Sequence, residues 1–461
     1  MPQDRISVTV LTGAEILART SARQWRELTY RLGDNPYFMQ YEMVTGYLRH
    51  LRDVPSGRAE PLAIQLKRNG IVVGILLLER DTVNVAGVRV PALSLVVHPH
   101  APQSDLLLPR DESLATFWPH IVTAMFDRDI RWEVLRFPAS RDTSAARREG
   151  SLDCLAPRVV ARTVGRADYF DCSGEYATLE AKYRPSLRRR LGQASRQLAR
   201  LGKVEFSCVR GGTPGSAAAF EQFIELEQAG WKGGEGTAIA QSQSLRSHYE
   251  QLYALDTAQA WAEVHVLTLD GRAIAVQFCV VSGGIREVVK LAYDETCRKQ
   301  SPGNVMLDHM LRISCEDARV ESFGLVGSPP WLAEWAPSSQ EVHDIWLFRH
   351  TAIARFAVLS TRLKRSAVQF LRGRLRRSEG GTGPGAPHAP SLTDAPGHEP
   401  SPSDAPTSAA VNPSAVETST PPARQRERRP RKMSVDKTPD DGFFELVSGP
   451  MDLDGPHALP G

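Results

Sequence analysis

The chain has 461 residues, 41% hydrophobic and 24% charged, with a mean hydropathy of −0.29 and a formal net charge of +3. That length suggests two or three domains and excludes a single small module. No apolar run approaches the roughly 20 residues that cross a bilayer, and the start MPQDRISVTV has no signal-type apolar stretch, so a cytoplasmic protein is expected.

The positive charge is segregated. Residues 379–461 carry 12 acidic and 7 basic side chains, whereas Arg184–Lys203 has seven basic residues and no acid, and Arg349–Arg377 has nine and no acid. Six cysteines are scattered without CxxC or Cys/His ligand spacing, so reduced thiols and no metal are expected. His98 and His100 flank Pro99 and read as a loop.

In chain order, apolar residues at helical spacing predict helices over Ala22–Leu32 and Glu42–Leu51. Residues 62–78 (LAIQLKRNGIVVGILLL) then read as a β-hairpin turning at Asn69-Gly70. A helix over Leu114–Phe126 and a strand over Glu133–Phe137 follow. The same order returns in the second half: helices over Ala217–Ala229 and Ser244–Leu255, a hairpin at 264–280 turning at Asp270-Gly271, a helix over Val305–Ala318 and a strand over Ser322–Val326. This pattern suggests an internal duplication.

Two segments of the second half carry candidate chemistry. KLAYDE (290–295), CRKQ, Ser301-Pro302-Gly303 and NVMLDHMLRIS read as strand, turn and helix start. Free N–H groups at such a helix start beside Arg298 and Lys299 suit an anion; an ordinary helix cap with solvated basic neighbours is the alternative. In IELEQAGWKGGEGTAIA (224–240), a helix ends at Gly230 and a glycine-rich loop with Trp231, Lys232 and Glu235 follows, either approaching a ligand or serving as a connector.

The order WKGGEGTAI (231–239), LDGRAIAVQF (269–278), KLAYDE, SPG (301–303) and FGLVG (323–327) with Trp331 and Trp335 resembles the GNAT-type acyltransferases of the CelD-like group, associated with cellulose and polysaccharide biosynthesis. NPYFMQYEMV (35–44) and Ser104–Leu107 resemble the N-terminal module of that group, so the resemblance covers about residues 20–350. It implies an α+β fold of two tandem GNAT-like modules, 1–157 and 158–350, with mixed, mostly antiparallel sheets flanked by helices, as in the FemABX aminoacyltransferases. A basic amphipathic helical extension (351–378) and a disordered Pro-rich tail (379–461), with 15 of the 32 prolines, would follow. Gln300–Asn304 keeps one glycine of the usual R/Q-x-x-G-x-G/A run.

The resemblance further implies acetyl-CoA as donor, held by Arg298, Lys299, Ser301, Gly303 and Asn304, with the strand Ile285–Ala292 offering its edge to the pantetheine amides. Acid/base work falls to Tyr293 as acid and Asp294, Glu227 or a water as base. Trp231, Lys232, Glu235, Lys290 and Arg188 are assigned to the acceptor, a saccharide or cell-envelope precursor, and His309 to structure. Without a Ser/His/Asp or Cys/His order, direct attack on the thioester is expected.

The Arg184–Lys203 helix has no interleaved aromatics, so nucleic acid is not expected as a partner; its arginines read as a solvated face or an anion-binding one. Residues 349–377 could lie on an anionic membrane surface. The alternatives are a FemABX-like transferase using aminoacyl-tRNA and a non-catalytic scaffold of envelope polysaccharide synthesis.

Overall fold

The computed structural model describes residues 4–349 except 35, 52–60, 86, 98–100, 102, 143, 145, 148–158, 230–237 and 326, together with Thr351, Phe356 and Leu359. Contacts divide the chain into a unit of 1–364 with 439–461 and a unit of 365–438, and every described residue belongs to the first. The Gly-rich loop with Trp231, Lys232 and Glu235, almost all of 349–377 and the whole of 379–461 lie outside the described residues.

The first half runs β1 (Ile6–Thr12), α1 (Ala14–Ala18), α2 (Ala22–Arg31), α3 (Tyr41–Gly46), β2 (Pro61–Arg68), β3 (Ile71–Val85), β4 (Val88–Leu95), α4 (Leu114–Asp127) and β5 (Val134–Arg141). The second runs β6 (Val159–Asp171), α5 (Tyr176–Glu180), α6 (Pro185–Leu201), β7 (Val204–Arg210), α7 (Ser216–Ala229), α8 (Gln243–Tyr253), β8 (Ala260–Leu269), β9 (Arg272–Ser282), β10 (Ile285–Tyr293), α9 (Pro302–Glu316), β11 (Ser322–Leu325) and β12 (Ser338–Phe348).

Local chemistry accounts for these elements. Both hairpin turns place Asn-Gly or Asp-Gly in the left-handed region, with φ of 52° and 81° at Asn69-Gly70 and 50° and 80° at Asp270-Gly271. This is the turn whose twist matches that of the flanking strands. Ser21 caps α2 by accepting from the Gln24 N–H at 3.2 Å. In α6, Pro185 starts the helix, and Leu187, Leu191, Ala194 and Leu198 form its buried stripe.

Each half has the same wiring. β1 to β4 pair antiparallel in sequence, α4 crosses over, and β5 returns parallel to β4. β7 to β10 likewise pair antiparallel, α9 crosses over, and β11 returns parallel to β10. The halves do not form separate sheets. β12 and β6 lie between β5 and β11, giving one mixed sheet of 12 strands in the order β1-β2-β3-β4-β5-β12-β6-β11-β10-β9-β8-β7. The last described strand thus pairs with β5 of the first half, Val342 opposite Arg141 through Phe348 opposite Val134.

One core is shared by both halves, with Trp25, Phe38 and Met43 of the first packed in the same cluster as Phe223, Tyr249 and Phe278 of the second. Gln40 Nε2 donates to Ser282 Oγ at 2.9 Å across this junction. On the other face each half has its own core: α4 over β2 to β5 around Phe117 and Phe137, and α6 with α9 over β9 to β11 around Leu307 and Phe323.

Candidate active site

Among the described residues β10 and β11 pair from Ile285 opposite Ser322 to Val288 opposite Leu325. Against β9 the register of β10 shifts between Val288 and Lys290, and β10 runs on to Tyr293. In open sheets ligands favour the carboxyl ends of parallel strands, where the crossover helix begins. α9 starts at that point.

A cavity of about 200 Å³ occupies this corner. Its wall comes from Leu187 and Arg190 of α6, Tyr293 at the end of β10, Arg298 of the 3-10 turn Glu295–Gln300, Ser301, Gly303 and Asn304 at the start of α9, and Trp331, Glu334 and Trp335 of the 3-10 turn Pro330–Trp335. Arg190 pairs with Glu334, and the Arg184 N–H donates to the Glu334 carbonyl at 2.9 Å, so the second turn is strapped to the head of α6. The ring of Tyr183 meets Trp335 edge-on at 5.1 Å, fixing the back wall.

The helix start offers fewer amides than its sequence suggests. Ser301 is left-handed at φ 48° and its N–H goes to the Arg298 carbonyl at 2.9 Å. Pro302 has no N–H, and Asn304 and Val305 both turn back to the Ser301 carbonyl at 3.1 and 3.2 Å. Gly303 is the first-turn residue whose N–H has no backbone acceptor among the described residues. An anion here would meet one amide and two guanidinium groups set against one carboxylate, so side-chain charge outweighs the helix end.

Of the residues singled out from the sequence, Tyr293, Arg298, Ser301, Gly303 and Asn304 line the cavity. Tyr293 is buried in the core shared by α6 and α9 and borders the cavity from there. Lys299 is exposed and Lys290 is 2% exposed within β10; neither lines the wall. Arg188 is exposed on α6 and also off the wall. Arg190, three residues after buried Leu187, flanks the apolar stripe and reaches the cavity instead, a helical-phase signal present in the sequence.

Asp294 does not line the cavity. Its place after the last residue of β10 makes it the cap of the following turn: Oδ1 accepts from the Thr296 N–H at 2.8 Å and Oδ2 from Arg272 at 2.6 Å. Glu227 is buried on the opposite face of the sheet, because α7 packs into the core shared by the two halves while α9 packs into the other. There its Oε2 accepts the Ile239 N–H at 2.9 Å. His309, one turn further along α9, stacks on Phe206 at 3.8 Å, and burial holds its imidazole down at about 4. Glu334 lies outside the sequence motifs and is brought to the cavity by the turn that carries Trp331 and Trp335.

Residues 185–330 match the family model described as "Acetyltransferase (GNAT) domain". No curated protein matches the chain. Among solved structures it is similar to one described as FemX (10% identity, 73% of this chain and 98% of that one, TM-score 0.47). A conserved protein of unknown function from Bacteroides thetaiotaomicron is similar at 11% identity, over 72% and 98% of the two chains, with a TM-score of 0.45. A tandem GNAT protein from the clavulanic acid biosynthesis pathway is similar at 13% identity, over 74% and 98%, with a TM-score of 0.36. The segment from the first residue of α6 to the turn after β11, which supplies most of the cavity wall, is the part of the chain that matches the GNAT-type domain model.

Proposed function

We propose that this chain is an acyltransferase that takes an acyl group from an acyl-CoA, acetyl-CoA in the first instance, bound at the cavity between α6, β10 and α9. The acceptor would be a hydroxyl or amine of a saccharide or cell-envelope precursor, as the resemblance to the CelD-like group implies, and the protein would act in the cytoplasm. Residues 158–350 would form the catalytic module and 1–157 its diverged partner.

One observation carries the reading: a cavity walled mostly by the GNAT-matched segment combines Arg190, Arg298 and the Gly303 amide with an aromatic wall of Tyr293 and, just beyond that segment, Trp331 and Trp335. Such a site suits a ligand with phosphates at one end and an organic arm at the other. In the reaction the acceptor oxygen or nitrogen attacks the thioester carbon and the carbon–sulfur bond breaks. Tyr293 would give its proton to the departing thiolate. Glu334, the carboxylate on the wall, would take the acceptor's proton.

Calorimetry of the full chain with acetyl-CoA tests the donor. Binding by the wild type and an affinity about tenfold lower for Arg298→Ala are expected, since a hydrogen bond to a charged group contributes about 1.5–3 kcal/mol. No heat from the wild type would remove acyl-CoA as donor.

A second reading, with aminoacyl-tRNA as donor, is favoured by the outer face of α6. Arg188, Arg189, Arg196 and Arg200 are exposed on the helix that lines the cavity, with no acid among its residues. RNA that copurifies with the chain and binding that weakens steeply with salt would select it.

A further inference from the structure

At the far edge of the sheet, β7 and β8 bring together three side chains that the proposed transfer does not use. Cys208 lies directly opposite His265 in the strand register, and Glu263, two residues before His265, projects from the same face of β8. One donor atom from each residue lies within 4.8 Å of the others: Cys208 Sγ is 3.6 Å from His265 Nε2 and 3.9 Å from Glu263 Oε2, and His265 Nε2 is 2.8 Å from the other carboxylate oxygen, Oε1. We propose that Cys208, Glu263 and His265 form a binding site for a divalent transition-metal ion, zinc by its donor set.

The geometry fits a tetrahedral ion. With zinc bonds of about 2.3 Å to sulfur and about 2.0–2.1 Å to nitrogen and oxygen, neighbouring ligand atoms lie about 3.3–3.6 Å apart. The sulfur–nitrogen edge already has that length, the edge from the sulfur to Glu263 Oε2 is about half an ångström longer, and one carboxylate oxygen lies within 4.8 Å of both other donors, so a small turn of the Glu263 carboxylate completes the set. Thiolate with imidazole and carboxylate is a set that zinc prefers over the hard cations, which select oxygen ligands alone.

The surroundings hold the carboxylate in place. Glu263 Oε1 accepts from Arg286 Nε at 2.7 Å and Oε2 from Trp261 Nε1 at 2.9 Å. Arg286 is itself anchored on Ser314 Oγ at 2.8 Å and Asp317 Oδ2 at 3.2 Å. Such outer partners orient ligands in metal sites. A thiolate and a carboxylate cancel the two charges of the ion, so Arg286 would not face a net positive centre. Glu263 and His265 are 4% and 2% exposed, while Cys208 stays at the surface, where an ion can enter and water can complete the coordination. The ion would clasp the edge strand β7 to β8.

Sequence spacing hides this trio, because Cys208 and Glu263 are 55 residues apart and meet only through strand pairing.

The test uses the full chain stripped with a chelator and titrated with zinc, then with cobalt(II) as a spectroscopic probe. One equivalent of zinc, a rise in thermal midpoint on zinc addition, and a thiolate-to-cobalt charge-transfer band are expected. Cys208→Ser should lose all three, and His265→Gln should bind zinc far more weakly. Cys208→His, which restores a ligand, should regain zinc binding without the band. Absence of zinc binding by the wild type, or stoichiometric binding that Cys208→Ser leaves unchanged, would overturn the site. The readouts are independent of acyl transfer, so they stand or fall apart from the proposed reaction.

Discussion

Arg272 donates from Nη1 to Asp294 Oδ2 at 2.6 Å, on the same carboxylate whose other oxygen accepts from the N–H and the hydroxyl of Thr296. All of these contacts point away from a catalytic base and toward a cap. Asp294→Ala should cost about 1 kcal/mol of stability, the usual loss for a removed cap, by urea denaturation at neutral pH. Its turnover should stay within a few fold of wild type. A base removed from the reaction would instead cost about 10²-fold or more.

Tyr293 and Glu334 both line the cavity wall and are the proposed acid and base. Tyr293→Phe preserves the ring that packs in the core and removes only the hydroxyl, so kcat should fall by about 10²-fold with little change in KM. Glu334→Gln should lower kcat similarly. Steady-state kinetics with acetyl-CoA and a chromogenic thiol reagent would read both. Loss confined to KM would place the two residues in binding.

His248 is buried beside α3, and burial, then the charge of His50, push its imidazole down to about 3 against a Gly46 backbone hydrogen bond that raises it. The folded state therefore keeps His248 neutral where the unfolded chain takes up a proton. Its contribution is complete above the unfolded value of about 6.5 and is lost as pH falls from there toward about 3, by up to about 1.4 kcal/mol per pH unit. Urea midpoints between about pH 7 and pH 5 should fall for the wild type. The His248→Gln series should be flatter over that window, and equal slopes would refute the assignment.

A methyl group at Gly211 would sit 1.7 Å from the backbone carbonyl oxygen of Tyr253. Main chain cannot move aside as a flexible side-chain end can. Gly211→Ala should therefore destabilise by several kcal/mol, beyond the usual 1–3 kcal/mol for overpacking. At Gly271 nothing lies within 4 Å, but φ is +80°, so Gly271→Ala should cost about 1 kcal/mol through backbone strain alone. Thermal melts of the two variants should rank in that order.

Much of the fold was legible because it is written locally. Asn69-Gly70 and Asp270-Gly271 carried both hairpins, and helical spacing carried α2, α7 and α9 with ends within a few residues. The joining of the halves was not legible. That β12 would pair with β5 and β6 depends on contacts some 200 residues apart, as between Arg136 and Asp344, whose buried ion pair closes at 3.0 Å. Neither periodicity nor turn chemistry encodes which edge a late strand will choose.

At the candidate site the division is similar. The amino-acid order alone set the strand, the Ser-Pro-Gly turn and the helix start at 285–316, since each is specified by residues within a few positions of one another. Tertiary packing decided that Arg190 rather than Arg188 meets the cavity, that Glu334 replaces Asp294 on its wall, and that Glu227 lies across the sheet. Those outcomes depend on how α6, β10 and the turn at Pro330–Trp335 converge, and convergence in space is set by burial of their shared apolar surface, which local sequence does not fix.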